Sequence, residues 1–384
     1  MKAKLLPVDR TFFIMLVVLI SFGLLMVYEA SAVYSDRAFG SKYHFSLLQA
    51  GWILIGSIGM FIFSRIDLEY LKKISPYLFL ISIGFLLFIL IPTIFAPTVY
   101  GARRWLVINP SPLPALPILG RISFQPSELV KLTGIIFLSA FLSSDNFLRK
   151  RQASQIFSFF VVFTLVCGLV LLEPNFTTTF VIATIFLGLF FLSDQNIWLF
   201  VLGGPIMAIA ASLYAYSSEY RRARIHTLFN SENLDKAGAG YHIRQIMIAL
   251  GSGGLWGLGL GKSRQKYDYL PEVSSDSIFA IVGEELGFIG TTLLILLYLG
   301  LIWKGLTIAQ QAKDLFSKLL VSGSMVWIAV QTLINLGAMV RLIPVTGVPL
   351  PLVSYGGSST IFIMCAMGLV LNVSRQTQHE KSKI

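Results

Sequence analysis

Residues 11–32, TFFIMLVVLISFGLLMVYEASA, form an apolar run long enough for an α-helix to cross the hydrocarbon core of a bilayer. A short basic tail with Lys2, Lys4 and Arg10 precedes this run. The run is longer than the apolar core of a typical signal peptide, and no cleavage site stands out in it. We therefore predict a retained first membrane span that also targets the chain to the membrane.

Nine further apolar runs follow the first one. The chain of 384 residues is 55% hydrophobic and only 13% charged, with a mean hydropathy of +0.76, and this charged share is about half that of soluble domains. Lipid as the solvent explains this composition, whereas a soluble core would not hide so much apolar surface. We therefore predict an all-α polytopic membrane protein with ten transmembrane helices in a single domain. The predicted spans are residues 11–32, 44–63, 75–95, 128–146, 156–172, 177–193, 197–217, 277–303, 317–338 and 357–373.

The connections between the spans predict the orientation of the chain. An even number of spans puts both termini on one side, and the Lys and Arg residues outside the long loops concentrate on the side of the termini. Basic residues of short loops mark the cytoplasmic side, so both termini are predicted to be cytoplasmic. Two long outer connections, 96–127 and 218–276, combine Arg, Gly and aromatic residues, which favours a functional role. The polar tail 374–384 is predicted to be loose.

The net charge of +11 is explained by cytoplasmic basic residues and by contact with anionic membrane lipids. Nucleic-acid binding is not expected, because the sequence shows no reading surface of aromatic and basic residues. Cys167 and Cys365 lie inside apolar runs and are predicted to be small core residues, not a disulfide or a metal pair. The four histidines are scattered, so no zinc site is predicted.

A polar cluster opens the fourth span. Gln125, Pro126 and Ser127 precede Glu128, and Lys131 follows at a spacing of three. This spacing puts the two charges on one face of a helix, close enough to pair, and a carboxylate suits the positive end of the helix dipole. Two interpretations stay open: a structural ion pair at a capped helix entrance, or a polar cluster that lines a water-filled cavity in the bundle.

Glu173, Pro174 and Asn175 interrupt the apolar region 156–193 and are predicted to form a tight turn between two spans. A carboxylate at this position needs a partner or water. Lys131 is the obvious candidate for a partner, and a surface turn with a solvated Glu173 is the alternative.

Three arginines, Arg221, Arg222 and Arg224, cluster in the second long loop. A guanidinium can bind a phosphate through two parallel hydrogen bonds, so the cluster suits a phosphate-bearing substrate. A basic loop that touches lipid headgroups is the alternative.

A glycine-rich stretch, 251–261, follows and runs into Lys262 and Ser263. It imitates a phosphate-binding P-loop, but Trp256 stands where that motif requires its first glycine. The glycines are predicted to permit tight turns, or a close approach of backbone N–H groups to an anion.

Asp276 lies just before the eighth predicted span, and Glu284 and Glu285 lie one to two turns inside it. A carboxylate at the apolar start of a helix suits a general base, but it also suits a helix N-cap, and both interpretations stay open.

After the ninth span, the prolines and glycines between Pro344 and Ser358 exclude a regular helix. Irregular backbone at membrane depth is tolerated only against protein or a cavity.

Several blocks of sequence are shared with one known family. The blocks are Gly101-Ala102-Arg103-Arg104-Trp105, Gln125-Pro126-Ser127-Glu128-Leu129-Val130-Lys131, Gly251–Gly261 followed by Ser263-x-Gln265-Lys266-x-x-Tyr269-Leu270-Pro271-Glu272, Asp276-x-Ile278-Phe279-Ala280, Gly283-Glu284-Glu285-Leu286-Gly287 and Pro349-Leu350-Pro351-Leu352-Val353-Ser354-Tyr355-Gly356-Gly357-Ser358-Ser359. In type and order they resemble the RodA/FtsW family, also called the SEDS family, over nearly the whole chain.

The resemblance implies a ten-span enzyme of the bacterial plasma membrane. Such enzymes transfer a growing glycan, held by a polyprenyl pyrophosphate, onto lipid II at the extracytoplasmic face. The resemblance places the catalytic aspartate on Asp276 and implies a class B penicillin-binding protein, a transpeptidase, as the partner. It implies no cofactor beyond a divalent cation, Mg²⁺ or Mn²⁺, beside the departing pyrophosphate. The implied substrate-binding residues are Arg103, Arg104, Gln125, Glu128, Lys131, Arg221, Arg224, Gln245, Ser263, Gln265, Lys266, Glu272, Ser354 and Tyr355.

The chain departs from the family pattern at several positions. Glu173-Pro174-Asn175 stands where the family has Gln-Pro-Asp, so the aspartate implied to contact Lys131 is missing and Glu173 is the predicted substitute. Ser274-Ser275 replaces His-Thr, His242 replaces a glutamine, and Arg341 stands where a glycine is common. Between the division type, FtsW, and the elongation type, RodA, the blocks lean towards FtsW.

Two functions of other classes also fit a polar helical bundle: a lipid II flippase or other transporter, and a scaffold that only recruits a transpeptidase. A transporter requires polar groups near the bilayer midplane on broken helices. Here most charges lie in outer loops or at outer helix ends, which favours the polymerase.

Overall fold

The computed structural model describes residues 8–99, 101–114, 121–149, 151–193, 239–267 and 270–381. These residues form eleven helices and one antiparallel pair of short strands. The helices are α1 Arg10–Phe39, α2 His44–Phe63, α3 Leu68–Leu90, α4 Pro126–Leu142, α5 Asp145–Leu148, α6 Gln152–Leu172, α7 Phe176–Leu192, α8 Ala239–Gly253, α9 Ile278–Gln310, α10 Leu315–Met339 and α11 Gly357–Lys381. The strands are β1 Leu106–Val107 and β2 Ser123–Phe124, both in the first long connection.

Seven of the described helices are long and apolar enough to cross a membrane, namely α1, α2, α3, α6, α9, α10 and α11. The apolar helix α7 is shorter, with 17 residues. The prediction of an all-α polytopic membrane protein is confirmed. The count of ten spans stays a prediction, because the predicted span 197–217 lies outside the described residues.

Helices α10 and α11 form the centre of the bundle, since most of their apolar stretch is buried inside the protein. α10 contacts α4, α7, α9 and α11, and α11 lies along α2. An added Cβ at Gly56 would collide with Met364, and one at Gly368 would collide with the backbone of Met60. Small residues at an interface let two membrane helices approach closely, which packing in lipid favours.

The connection between α10 and α11, residues 340–356, is irregular, as predicted, and its second half is mostly buried. Leu350, Leu352 and Val353 are almost inaccessible to solvent. Helix α1 packs directly on this connection, since an added Cβ at Gly23 would lie 2.3 Å from the Leu352 carbonyl oxygen. The connection is thus an internal element of the bundle, and its backbone polar groups need protein partners.

Helix α9 is broken at Gly287, which has a φ of 65°. The part after the break, residues 288–310 of this 33-residue helix, is roughly 35 Å long, which is enough to cross the hydrocarbon core by itself. The break frees the carbonyls of Glu284 and Glu285, which accept hydrogen bonds from the amides of Leu258 (2.9 Å) and Gly259 (3.0 Å). The glycine-rich stretch therefore completes the hydrogen bonding of a broken membrane helix.

This contact decides between the two predicted uses of the glycines. Tight turns are confirmed, because Gly257 and Gly259 have positive φ values. An added Cβ at Gly257 would lie 2.1 Å from the Glu285 carbonyl oxygen, so the approach to α9 also requires glycine. The prediction of an anion at these N–H groups is wrong for Leu258 and Gly259, since both bond to α9.

Helix α8 lies in the second long connection, where a loop was predicted. Its buried residues Ile243, Ile246 and Ala249 recur every three positions, which is the spacing of one helix face. The surrounding glycines and charges obscured this short apolar pattern.

Several predicted boundaries are wrong; for example, the third span, predicted as 75–95, is α3 Leu68–Leu90. The fourth span ends at Leu142, before residue 146, and the short helix α5 follows it. The tail 374–384 is not loose at its start, since α11 continues to Lys381 and buried Ser374 accepts a hydrogen bond from Asp9 N at 3.2 Å. Packing against the start of α1 orders a segment whose polar composition indicated disorder.

The substitution Gly23→Ala should destabilise the protein by about 1–3 kcal/mol, because the new methyl group must push the buried connection away from α1. Gly84→Ala is the matched control, since Gly84 is a helical glycine of α3 with open space around it. Cys167 and Cys365 are buried and free, so thermal unfolding can be followed with a thiol-reactive dye. Equal melting temperatures for the two variants would contradict the close packing of α1 on Leu352.

Candidate active site

Asp276 lies two residues before the start of α9 and is half-buried. Ser277 occupies the N-cap position of this helix, and no side-chain hydrogen bond caps it. The interpretation of Asp276 as the helix cap is therefore wrong.

Distant elements fix the backbone around Asp276. Nδ2 of Asn335 on α10 donates to the Asp276 carbonyl oxygen at 2.9 Å. The amide of Tyr355, in the buried connection, donates to the Ser274 carbonyl oxygen at 2.8 Å. Residues from two other parts of the bundle thus hold the segment on which Asp276 lies.

The residues on either side are fixed as well. Nε2 of His242 on α8 lies 2.7 Å from Oγ of Ser277. The carbonyl of Glu272 accepts hydrogen bonds from the amides of Ser275 and Ser277, and the exposed Glu272 carboxylate accepts one from the Ser275 hydroxyl at 2.9 Å. The segment 272–277 is therefore attached to α8, α10 and the connection 340–356.

Gly347 faces the carboxylate of Asp276. An added Cβ at Gly347 would lie 3.4 Å from Oδ2 of Asp276, with no other atom of the described residues within 4 Å. Gly347 is itself exposed. Since residue 347 has no side chain, none of its atoms covers the Asp276 carboxylate on this side, and we call this position the Gly347 opening.

The predicted pair of Glu128 and Lys131 forms deep inside the bundle. Nζ of Lys131 donates to Glu128 and to Oε1 of Gln331 (3.1 Å), and it lies 4.9 Å from the ring centre of Trp327. Gln331 also accepts from Nε1 of Trp327 (2.8 Å) and donates to the Pro349 carbonyl oxygen (3.0 Å). Protein groups surround the cation, which favours the structural ion pair over the lining of a water-filled cavity.

Other predicted substrate-binding residues also form hydrogen bonds within the protein. Oγ of Ser354 accepts a hydrogen bond from Leu350 N at 2.8 Å, and Gln125 N donates to Oγ of Ser358 at 3.1 Å. Tyr355 is half-buried. These partners lie within the protein, and contact with a substrate stays a prediction for all three predicted residues.

Glu284 and Glu285 hold the segment with Ser263, Gln265 and Lys266. The Glu284 carboxylate accepts hydrogen bonds from the Ser263 hydroxyl and from Gln265 N (3.4 Å). Nζ of Lys266 donates to Glu285 at 3.2 Å. The three predicted substrate residues are at most 6% exposed. In this structure they attach the segment that precedes Asp276 to helix α9.

Arg103 and Arg104 lie at a second, separate feature, a cleft of about 240 Å³ beside the turn between α6 and α7. Nε of Arg103 donates to the Thr98 hydroxyl at 3.2 Å. Arg104 donates to the carbonyl oxygens of Glu173 and Pro174. The predicted tight turn after α6 is confirmed, and Arg104 ties it to the first long connection.

The hypothesis that Glu173 pairs with Lys131 is wrong, because Glu128 and Gln331 already satisfy that lysine. The alternative of a solvated Glu173 is also wrong, since the residue is only 1% exposed. Among the described residues, neither of its carboxylate oxygens has a hydrogen-bond partner. Burial raises the pKa of Glu173 to about 8, although the positive charge of Arg104 acts in the opposite direction.

Three predicted substrate-binding residues and the predicted metal remain. Gln245 is half-buried on α8. Arg221 and Arg224 lie outside the described residues. In the part of the chain that the structure describes, no three His, Cys, Asp or Glu side chains gather as metal ligands, and the divalent cation stays a prediction.

The comparison with known proteins matches this geometry to a family. Residues 9–379 match the model of the FtsW, RodA and SpoVE cell cycle proteins. The chain belongs to this family. The resemblance seen in the sequence blocks is thus confirmed, and the protein is a multi-pass membrane protein.

Two relatives are similar over nearly their whole length. Stage V sporulation protein E of Bacillus subtilis (strain 168) is 37% identical over 386 residues, which cover 99% of this chain and 100% of that protein. The probable peptidoglycan glycosyltransferase FtsW of Coxiella burnetii (strain RSA 493 / Nine Mile phase I) is 36% identical over 364 residues, which cover 94% of each.

Two solved structures share the fold. A chain of a peptidoglycan synthase complex that coordinates polymerization and crosslinking superposes with a TM-score of 0.75, at 22% identity over 96% of this chain and 98% of that one. The rod shape determining protein RodA of Thermus thermophilus superposes with a TM-score of 0.69, at 24% identity over 97% and 98%.

The sequence analysis missed three amide side chains of this family member: Gln49, Gln331 and Asn335. Each lies in an apolar span and hydrogen-bonds to the connection 340–356. The signal was available, because a polar side chain inside a membrane span is costly unless it has a defined partner. The spacing of four between Gln331 and Asn335 also puts both on one face of α10.

The pKa of Glu173 predicts a pH-dependent stability. Well below pH 4.5 the Glu173 carboxyl is neutral in both states, whereas between 4.5 and about 8 it ionises mainly in the unfolded chain, so stability falls as pH rises through this window. Glu173→Gln should remove this loss, and its melting temperature relative to wild type should increase from pH 5 to pH 8. Tryptophan fluorescence of the purified protein during heating gives the melting temperature at each pH.

The matched control for this pH series is Glu69→Gln, which removes a carboxylate that is exposed at the start of α3. Its difference from wild type should stay the same across the series. A constant difference for Glu173→Gln as well would show that Glu173 ionises normally in the folded protein.

Proposed function

We propose that this protein is a peptidoglycan glycosyltransferase that transfers a polyprenyl-pyrophosphate-linked glycan onto lipid II. The observation that carries the proposal is Asp276, a half-buried carboxylate whose backbone is fixed by α8, α10 and the connection 340–356, with the Gly347 opening beside it. The family membership and a relative named as a probable peptidoglycan glycosyltransferase support it.

In the proposed reaction Asp276 acts as the general base. Its carboxylate takes the proton of the acceptor hydroxyl as the hydroxyl oxygen bonds to the anomeric carbon of the donor sugar. The bond between that carbon and the pyrophosphate oxygen breaks, and the polyprenyl pyrophosphate leaves with the electron pair. The fixed backbone of Asp276 supports this role, because a base that is already in position does not need to be ordered during the reaction.

Cationic side chains would neutralise the departing pyrophosphate. Lys266 is engaged by Glu285 and Glu29, and Arg103 and Arg104 lie at the cleft beside the turn 173–175. This leaves Arg221 and Arg224, which lie outside the described residues, as the preferred candidates for direct contact with the pyrophosphate.

The wider setting follows from the same proposal. Both termini would be cytoplasmic, and Asp276 would face the extracytoplasmic side of the plasma membrane, where lipid II is polymerised. A class B penicillin-binding protein would be the partner that crosslinks the new glycan. We favour a division-type role, as in FtsW, over an elongation-type role.

The first test is the substitution Asp276→Asn, which keeps the shape of the side chain but removes the base. Glycan polymerisation from labelled lipid II by the purified full-length protein, with and without a partner transpeptidase, should fall about 10²–10⁴-fold. Asp145→Asn, which changes an exposed aspartate at the start of α5, should leave the rate unchanged.

Equal activity of wild type and Asp276→Asn would show that Asp276 is not the general base. No polymer from the wild type, even with the partner, would favour a flippase or a scaffold instead.

A second test concerns the Gly347 opening. Gly347→Ala should fold, because the new methyl group meets Asp276 Oδ2 only at van der Waals distance, but it should lower kcat/KM for polymerisation about tenfold by obstructing the hydroxyl. Gly337→Ala is the control, since its methyl group would lie 3.5 Å from the Ile343 side chain. If both variants polymerise like wild type, the acceptor does not approach Asp276 from Gly347.

A further inference from the structure

Asn335 joins the two sides of the Gly347 opening. It lies on α10, is 1% exposed, and is the donor of two hydrogen bonds from one nitrogen atom. Nδ2 donates to the Asp276 carbonyl oxygen at 2.9 Å and to the Val348 carbonyl oxygen at 2.9 Å. One side chain therefore sets the spacing between the residue proposed as the base and the connection that faces it.

Both acceptors of Asn335 belong to irregular backbone. Asp276 precedes the first turn of α9, and Val348 lies in the connection 340–356, so neither carbonyl is part of a helix. A buried carbonyl without a donor costs about 1–3 kcal/mol. Asn335 satisfies both with one amide group, which no apolar or carboxylate side chain of its size can do.

The position of Asn335 is itself fixed. Gln331 lies one turn earlier on α10 and donates to the Pro349 carbonyl oxygen at 3.0 Å. Gln331 is in turn held by Lys131 and Trp327. Two successive residues of the connection, 348 and 349, are thus bonded to the same face of one central helix.

We propose that Asn335 is a positioning residue for glycan transfer, which holds Asp276 at a fixed distance from Gly347 so that the acceptor hydroxyl can enter between them. This inference rests on the proposed glycosyltransferase function and adds a residue to it. Asn335 contacts neither substrate nor the reacting atoms, and it acts through the backbones of Asp276 and Val348.

The test is a double-mutant cycle between Asn335→Leu and Gly347→Ala in the full-length protein. Asn335→Leu removes both donors at similar volume and should lower kcat for polymerisation of labelled lipid II by up to about 100-fold. If Asn335 sets the width of the opening, the roughly tenfold penalty of Gly347→Ala should shrink to less than about threefold in the Asn335→Leu background.

The control for the cycle is Thr332→Val, on the same helix. Thr332 is buried, and among the described residues its hydroxyl has no hydrogen-bond partner, so the isosteric change should keep both the wild-type rate and the full penalty of Gly347→Ala. If Asn335→Leu does not fold, Asn335→Ser replaces it. A serine hydroxyl keeps one donor, so a smaller loss of kcat and a partly reduced penalty are expected.

Three results would overturn the inference. The first is a wild-type kcat in the Asn335 variants. The second is a lower kcat with an undiminished tenfold penalty of Gly347→Ala. A substitution that only reduces the amount of folded protein lowers both rates of the comparison equally and leaves that penalty unchanged. The third is a wild type that makes no polymer. This result contradicts the proposed glycosyltransferase function, whereas the first two contradict only the role of Asn335.

Discussion

The fold depends on the need to pair every backbone polar group that is shut off from water in a membrane protein. Regular helices meet this need by themselves, but the connection 340–356 does not. Three amide side chains from two helices, α2 and α10, supply its donors: Gln49 to the Ser354 carbonyl, Gln331 to Pro349 and Asn335 to Val348. The polar residues inside apolar spans therefore make an irregular internal segment possible, and this segment forms one side of the candidate site.

Much of the architecture could be predicted from the sequence, because each prediction rested on local chemistry. Apolar runs predict helices in lipid, and Glu173-Pro174-Asn175 predicts the turn that separates α6 and α7. The prolines and glycines between Pro344 and Ser358 predict the irregular connection. The spacing of three between Glu128 and Lys131 predicts their ion pair. In each case the residues that interact are close in the sequence, or a single segment carries the whole signal.

The errors concern partners that are distant in the sequence. Contact of Glu173 with Lys131 is predicted because a carboxylate between two spans needs a partner, but Glu128 and Gln331, the latter 200 residues further along, satisfy the lysine. The amides of Leu258 and Gly259 bond to a broken helix and not to an anion, and this contact depends on the backbone break at Gly287. Asp276 lies one residue before Ser277, the N-cap of α9. The sequence does not locate a helix start to within one residue, because the start depends on backbone angles that composition does not determine.

The attachment of Asp276 to α8, α10 and the connection 340–356 has a thermodynamic consequence. Under the proposed function, a ligand that binds more tightly to the arrangement of these three elements in which the Asp276 carboxylate is placed for the reaction would increase the population of that arrangement. The effect is reciprocal: a bound acceptor favours the same arrangement and strengthens the binding of that ligand by an equal free energy. A protein or lipid bound to the outside of the bundle would therefore act on the proposed site through these attachments, without touching Asp276.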